Sequence, residues 1–233
     1  MKFIVDEAVF KKLDDYYVGV VVAYNVNNFE PNADIANLFD EEVKKAFINL
    51  SDVNLKEHPQ ISLYRNAMQA VDINPNRFPC SIEAMLKRVQ KGNSLPSVNA
   101  IVDLNNYISI KYMLPMGSHD IDALTGDIYV RFSKENDAFL PLGEEQEELL
   151  ASGELVYSDD VRIRTRKWIH RQSNIGKINP ESKNIFFPID GFNANKDKIL
   201  AASDELEKLL KQYFKCEVLT GFIDKNNREI IIK

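Results

Sequence analysis

Three short stretches of this chain carry the residue types that can do chemistry. The first is Pro115-Met116-Gly117-Ser118-His119-Asp120, a turn that sets glycine, serine, histidine and aspartate side by side. The second is Arg166-Lys167-Trp168-Ile169-His170-Arg171-Gln172, where the single tryptophan stands among hydrogen-bond donors. The third, Phe186-Phe187-Pro188-Ile189-Asp190-Gly191-Phe192, ends an apolar run on an acid and a glycine. An imidazole can orient or deprotonate water and a carboxylate can hold a cation or a proton, so these stretches, if they converge, make an acid–base site. Each also has a plainer reading. A lone tryptophan is more often core than platform, His119 and His170 taken singly are more often structural, and Asp-Gly is usually a turn. The three histidines lack metal-ligand spacing. No Walker loop, dinucleotide fingerprint, GxSxG elbow or HExxH helix occurs, so no metal or cofactor is expected.

Two further features bear on a site. Val98, Ala100, Ile101, Val102 and Leu104 form an apolar, largely β-branched run between Pro96 and Asn105-Asn106, which reads as a buried strand over 98–104. Asp103 interrupts it and must find a partner, because an unpaired buried acid is costly. Tyr64-Arg65, with the loop from Asn74 to Glu83, brings Arg65 and Arg77 beside a helix start at Ser81, a favourable place for an anion.

The elements that must position these groups are legible from periodicity. Residues 17–24 (YVGVVVAY) read as a buried central strand. Helices are predicted over 33–50 and 61–70, and over 81–91 with Ser81 as N-cap and Gly92 as terminator. Strands follow at 98–104, 107–113, 127–133, 154–158, 161–169 and 184–189. If Arg166 to Gln172 were extended, alternation would place Trp168, His170 and Gln172 on one face, with Lys167 and Arg171 on the other. A last helix begins at Asn195 or Lys196, and a hairpin of 218–223 with 229–232 closes the chain across Asp224-Lys225-Asn226-Asn227. The expected fold is α+β: one domain over 1–233, with mixed β-sheets and flanking helices.

The composition is that of an ordinary globular protein, and Cys80 and Cys216 have neither metal nor disulfide-framework spacing, so free thiols and a cytoplasmic setting are expected. No signal peptide or bilayer-crossing run is evident. The net charge of −6 argues against indiscriminate nucleic-acid binding. Its distribution is uneven: Glu144, Glu145, Glu147 and Glu148 precede a run of cations from Arg162 to Lys183. That run either faces phosphate or balances the acidic segment.

Taken together, the segments resemble the B3/B4 domain family, found in the beta subunit of bacterial phenylalanine–tRNA ligase and as freestanding proteins. Asn99-Ala100-Ile101-Val102-Asp103-Leu104-Asn105-Asn106-Tyr107, followed by Pro115-Met116, is similar to a DVTNY-like and then PMHAFD-like pattern of the synthetase. Asn184-Ile185-Phe186-Phe187, with Phe192 beyond, is similar to its NVLLE-type strand. The freestanding members are closer: Tyr64-Arg65, Ser81 to Leu86, Gly92 through Pro96, and Trp168 with Arg171-Gln172-Ser173 resemble their pattern. The resemblance spans roughly 60–195, a B3/B4-like core between an N-terminal α/β extension and a C-terminal helix and hairpin.

In the synthetase this module hydrolyses the ester of a wrongly attached amino acid. The resemblance therefore implies editing in trans, with aminoacylated tRNA as partner, no DNA and no membrane. An aminoacyl ester is already activated, so a positioned water and donors to the oxyanion suffice. By position, Asn105 and Asn106 match a Thr-Asn pair that would orient the ester. Gly117 stands at the synthetase's editing histidine with His119 two residues on, and Pro188 at its pocket glutamate with Asp190 two residues on. The implied catalytic pair is His119, orienting water or acting as base, and Asp190. Asp190 or Asp103 would meet the substrate ammonium, Asp103, Asn105, Asn106, Gly117, Trp168, Arg171 and Gln172 would contact substrate, and Arg65, Arg77, Lys167 and Lys177 would contact RNA. The alternative is a non-catalytic module binding tRNA or an amino-acid-like ligand; an unrelated small-molecule hydrolase ranks last. Which amino acid is recognised, and the oligomeric state, are left open.

Overall fold

The structure, a computed structural model, describes residues 1–233. Strand β1 (Lys2–Val5) and a single helical turn, α1 (Glu7–Phe10), precede β2 (Tyr16–Tyr24). Helices α2 (Ala33–Leu50), α3 (Pro59–Ala70), α4 (Ser81–Gln90) and α5 (Ala100–Tyr112) follow. Strands then dominate: β3 (His119–Asp120), β4 (Ile128–Phe132), β5 (Asp137–Phe139), β6 (Glu148–Leu150), β7 (Leu155–Ser158), β8 (Ile163–Arg166), β9 (Arg171–Gln172) and β10 (Ile185–Phe192). Helix α6 (Lys196–Phe214), β11 (Glu217–Ile223) and β12 (Glu229–Ile231) complete the α+β domain.

Two sheets face each other. One is antiparallel in the order β11-β2-β10-β3; the other is mixed, β12-β1-β4-β7-β8-β9, with β1 and β4 parallel. The strands β2 and β10 are apolar on both faces because both are covered. On one face lies α6, admitted by two glycines. A Cβ on Gly19 would sit 2.6 Å from Ile199, and one on Gly191 would sit 2.4 Å from the same side chain. The other face meets the second sheet, where the Phe3 ring packs 4.8 Å from Phe186 and 6.0 Å from Tyr157. Side chains alternate along a strand, so Gly191 serving the helix sends Asp190 between the sheets. Asp190-Gly191 is thus strand, not turn.

The chain departs from the predicted elements in four places. Residues 98–104 and 107–113, expected as two strands, form the single helix α5. Asn99 caps it by accepting from the Val102 N–H, and Met113 ends it in the left-handed conformation. The strand expected over 161–169 breaks after Arg166, because Lys167 and Trp168 both take positive φ. The C-terminal strands form no hairpin: β11 pairs with β2, and β12 with β1 in the other sheet. Finally, Ser81 is not the cap of α4. Cys80 takes that position and Ser81 is the first helical residue.

Candidate active site

The polar ends of β10, the 115–119 loop and the 165–172 segment meet the start of α4 around a cavity of about 90 Å³. A water needs roughly 10–15 Å³ of such space, so the cavity takes several waters or a group the size of an amino acid. Its walls include Ser81, Gly117, His119, Tyr157, Thr165, Trp168, His170, Gln172, Pro188 and Asp190. Among the residues expected at a site, His119, Asp190, Gly117, Trp168 and Gln172 come together here.

Asp190 is the centre of the cluster. It is 2 % exposed, and its Oδ1 accepts from the Tyr16 hydroxyl, from the Tyr157 hydroxyl at 2.7 Å and from Trp168 Nε1 at 3.1 Å. All three donors fall on one oxygen. Oδ2 has no donor in the protein, although Asp190 lines the cavity. Its backbone carbonyl accepts from Tyr64 Oη at 2.9 Å, and Asn195 donates to that hydroxyl at 2.8 Å, which fixes the strand end. Burial pushes the Asp190 carboxyl up to about 6, against the lowering effect of Tyr16, Tyr157 and Trp168. Burial, followed by the charge of Asp190, pushes both tyrosine hydroxyls well above their ordinary range, so both remain donors. At neutral pH the site therefore holds a buried carboxylate with one open oxygen, which favours a cationic ligand.

His119 reaches the same cavity from β3. Its ring lies between Tyr157, with centroids 6.2 Å apart, and Phe186, at 6.1 Å, and neither nitrogen has a partner in the protein. Burial, followed by the charge of Arg164, lowers its pKa to about 4, so it is neutral at pH 7. Gly117 leaves room for it: a Cβ there would lie 3.2 Å from His119 Nε2. Gln172 Nε2 donates to the Ser118 carbonyl at 2.8 Å and braces the loop between these two residues. His170, named within the chemistry-bearing stretch 166–172 but given no site role there, is also a wall of the cavity. Its Nδ1 lies 2.7 Å from the Pro79 carbonyl and donates to it, leaving Nε2 as an acceptor. Tyr16 and Tyr157 were missed, since tyrosines within apolar strands carry no signal that marks them as donors to an acid. Trp168 is fully buried and serves Asp190 through its N–H, not as an exposed stacking surface.

The remaining candidates lie elsewhere. Asp103 is buried in the first turn of α5, its two oxygens accepting from Ser97 Oγ and from the Val98 N–H at 2.9 Å. Asn105 and Asn106 follow on the same helix and do not line the cavity. Arg171 pairs with Glu144 at 3.4 Å on the surface. Arg65 is held by Glu83 at 2.8 Å and by Asn76 at 2.7 Å. Lys167 pairs with Glu154, and Arg162, Arg164 and Arg166 are likewise matched to Glu147, Asp159 and Glu148 with Glu154. The cationic run thus balances the acidic segment. Arg77 and Lys177 are exposed and without ion pairs, and Arg77 lies over the Phe78 ring, whose edge meets His170. No group of three or more His, Cys, Asp or Glu side chains is arranged to hold a metal ion. Both cysteines are buried free thiols.

The B3/4 domain family profile matches residues 63–215, which include every residue named as lining this cavity. The chain belongs to the B3/4 domain family. Among relatives of this B3/4 protein is the phenylalanine–tRNA ligase beta subunit of Fusobacterium nucleatum, 33% identical over 107 residues, covering 46% of this chain and 13% of that subunit. The beta subunit of a Bacillus cereus strain is 28% identical over 142 residues, 55% of this chain and 17% of the subunit. The chain therefore spans a small fraction of the length of the curated relatives it matches. An N-terminal fragment of the phenylalanyl-tRNA synthetase beta subunit from Pyrococcus horikoshii shares the fold, with a TM-score of 0.50 at 12% identity, covering 93% of this chain and 49% of that one. No helix of the B3/4 protein is long and apolar enough to cross a membrane.

Proposed function

We propose that the protein hydrolyses the ester linking an amino acid to tRNA, acting in trans on mischarged species. The observation that carries this reading is the open Oδ2 of Asp190 beside a neutral, unpartnered His119 in a cavity of amino-acid size. Asp190 would receive the α-ammonium and fix the acyl group. A water hydrogen-bonded to His119 then attacks the ester carbonyl carbon. The carbon–oxygen bond to the ribose breaks, and the proton lost by water passes to the leaving hydroxyl. An imidazole with a pKa near 4 is a weak base, so it orients water more than it deprotonates it, which is adequate for an activated ester. Arg77, Lys177 and the rim at Phe78 are the proposed contacts for the RNA end.

Incubating the protein with a panel of labelled aminoacyl-tRNAs tests this reading. Release of at least one amino acid faster than in buffer is expected, and loss of that activity in His119→Ala. A second reading, a non-catalytic receptor for an amino-acid-like ligand, is favoured by the pairing of every Lys and Arg between Arg162 and Arg171 with an acid. It prevails if calorimetry finds an amino-acid amide bound while hydrolysis never exceeds the buffer rate.

A further inference from the structure

The anion-favouring start of α4 is used by nothing described so far. Helix α4 spans ten residues, and Ser81, its first, lines the cavity. The Ser81 N–H donates to the Ile169 carbonyl at 2.9 Å, which ties the helix start to the Trp168-Ile169-His170 segment. Its hydroxyl makes no hydrogen bond within the protein. Cys80 occupies the cap position without a side-chain cap hydrogen bond, and the one acid of the first turn, Glu83, is already held by Arg65 and Lys87, so the amino end of α4 keeps its attraction for a further acceptor. A helix start of this kind attracts negative charge. The second observation is His119, 4 % exposed, without a hydrogen-bond partner and facing the same cavity. The cavity thus has an anionic pole at Asp190, a neutral acceptor at His119 and a donor pole at Ser81.

We propose that Ser81 and the amino end of α4 receive the acyl carbonyl oxygen of the ligand, so that the site recognises an α-ammonium and a carbonyl together. In the hydrolase reading, on which this inference rests, Ser81 is a catalytic residue: its O–H donates to the oxygen that becomes negative when water adds to the carbonyl carbon. The hydroxyl forms no bond to carbon and keeps its proton. His170, held by the Pro79 carbonyl, presents only an acceptor nitrogen and so does not compete for that oxygen. The ligand class is an aminoacyl ester or amide carrying a free α-amino group.

Ser81→Ala and Ser81→Thr are compared with the wild type in single-turnover deacylation of whichever aminoacyl-tRNA the panel identifies. In parallel, the twenty L-amino-acid amides are titrated by calorimetry. Ser81→Ala is expected to lower the rate on the order of 10²-fold, the effect of losing one oxyanion donor, while amide affinity falls only about fivefold, the worth of one neutral hydrogen bond. Ser81→Thr keeps the hydroxyl and restores most of the rate. A wild-type rate in Ser81→Ala, with activity lost in Asp190→Asn, overturns the carbonyl pole and leaves the hydrolase reading standing. If no species is hydrolysed, the hydrolase reading falls and the amides decide. Weaker amide binding by Ser81→Ala keeps the pole as a ligand contact, whereas unchanged binding, or no binding by any protein, removes it.

Discussion

Asp103 and Asp190 are both acids within apolar runs, both nearly fully buried, and they have opposite uses. Asp103 spends its two oxygens on Ser97 and Val98, neighbours in sequence, and so closes the entry to α5. Asp190 draws its donors from Tyr16 on β2, Tyr157 on β7 and Trp168 after β8, none of them a sequence neighbour, and places all of them on one oxygen. The other oxygen is left toward a cavity. Burial of an acid therefore says little about function by itself. What separates the two is whether the carboxylate is fully satisfied and whether its partners are local.

The largest expected effect follows from removing the open charge. Asp190→Asn keeps the shape but loses the ammonium contact, lowering kcat/KM about 10²-fold, since a hydrogen bond to a charged group is worth ~1.5–3 kcal/mol. The same variant gains stability at pH 7, because the buried carboxylate, with its pKa raised to about 6, opposes folding there. A gain of ~1–3 kcal/mol in urea unfolding is expected, one pKa unit corresponding to ~1.4 kcal/mol. Lower activity with unchanged or reduced stability would erase the contrast with Asp103.

The pH dependence of stability sharpens the comparison further. The raised pKa of Asp190 contributes stability that is present below pH 4 and lost as pH rises to about 6. The lowered pKa of His119 contributes stability that is present above pH 6.5 and lost as pH falls to about 4. Between pH 4 and 6 the two slopes oppose each other, each with an amplitude of ~3 kcal/mol. Denaturation series should show stability rising with pH in Asp190→Asn and falling with pH in His119→Phe. Parallel slopes in the two variants would contradict the assignment.

Smaller effects mark the residues outside the cavity. Asp103→Ala should cost ~1 kcal/mol of stability, the worth of a helix-entry cap, with kcat unchanged in deacylation assays. Arg171→Ala removes an exposed pair with Glu144 and should shift stability by less than ~0.5 kcal/mol. A large loss of activity in either variant would return those residues to the site.

The β-rich strand at β2 and the helices α2 and α6 were legible in the sequence because local patterns dictated them, whereas the grouping of His119, Trp168, Gln172 and Asp190 was implied only by the resemblance to the B3/B4 family. The helix α5 was not. Beyond the face of Ala100, Ile101, Leu104, Tyr107 and Ile108, it also buries Asp103, Asn105, Ser109 and Ile110 on its other sides, which blurs the amphipathic period and leaves mainly β-branched composition to read. The break at Lys167 and Trp168 was hidden for a different reason, since positive φ at non-glycine residues is imposed by tertiary packing. That break brings His170 to the cavity and seats Trp168 against Asp190. The partners of Asp190 lie up to 174 residues away in sequence, so no local pattern could announce them.

The open oxygen of Asp190 is the feature on which ligand recognition depends, and its titration is the most direct test. Carboxyl ¹³C NMR of the protein should place the Asp190 pKa near 6. On binding the amide of the amino acid selected by the deacylation panel, that pKa should fall by at least about one unit as an ammonium meets Oδ2. A titration that stays near 6 with all twenty amides would contradict the central claim.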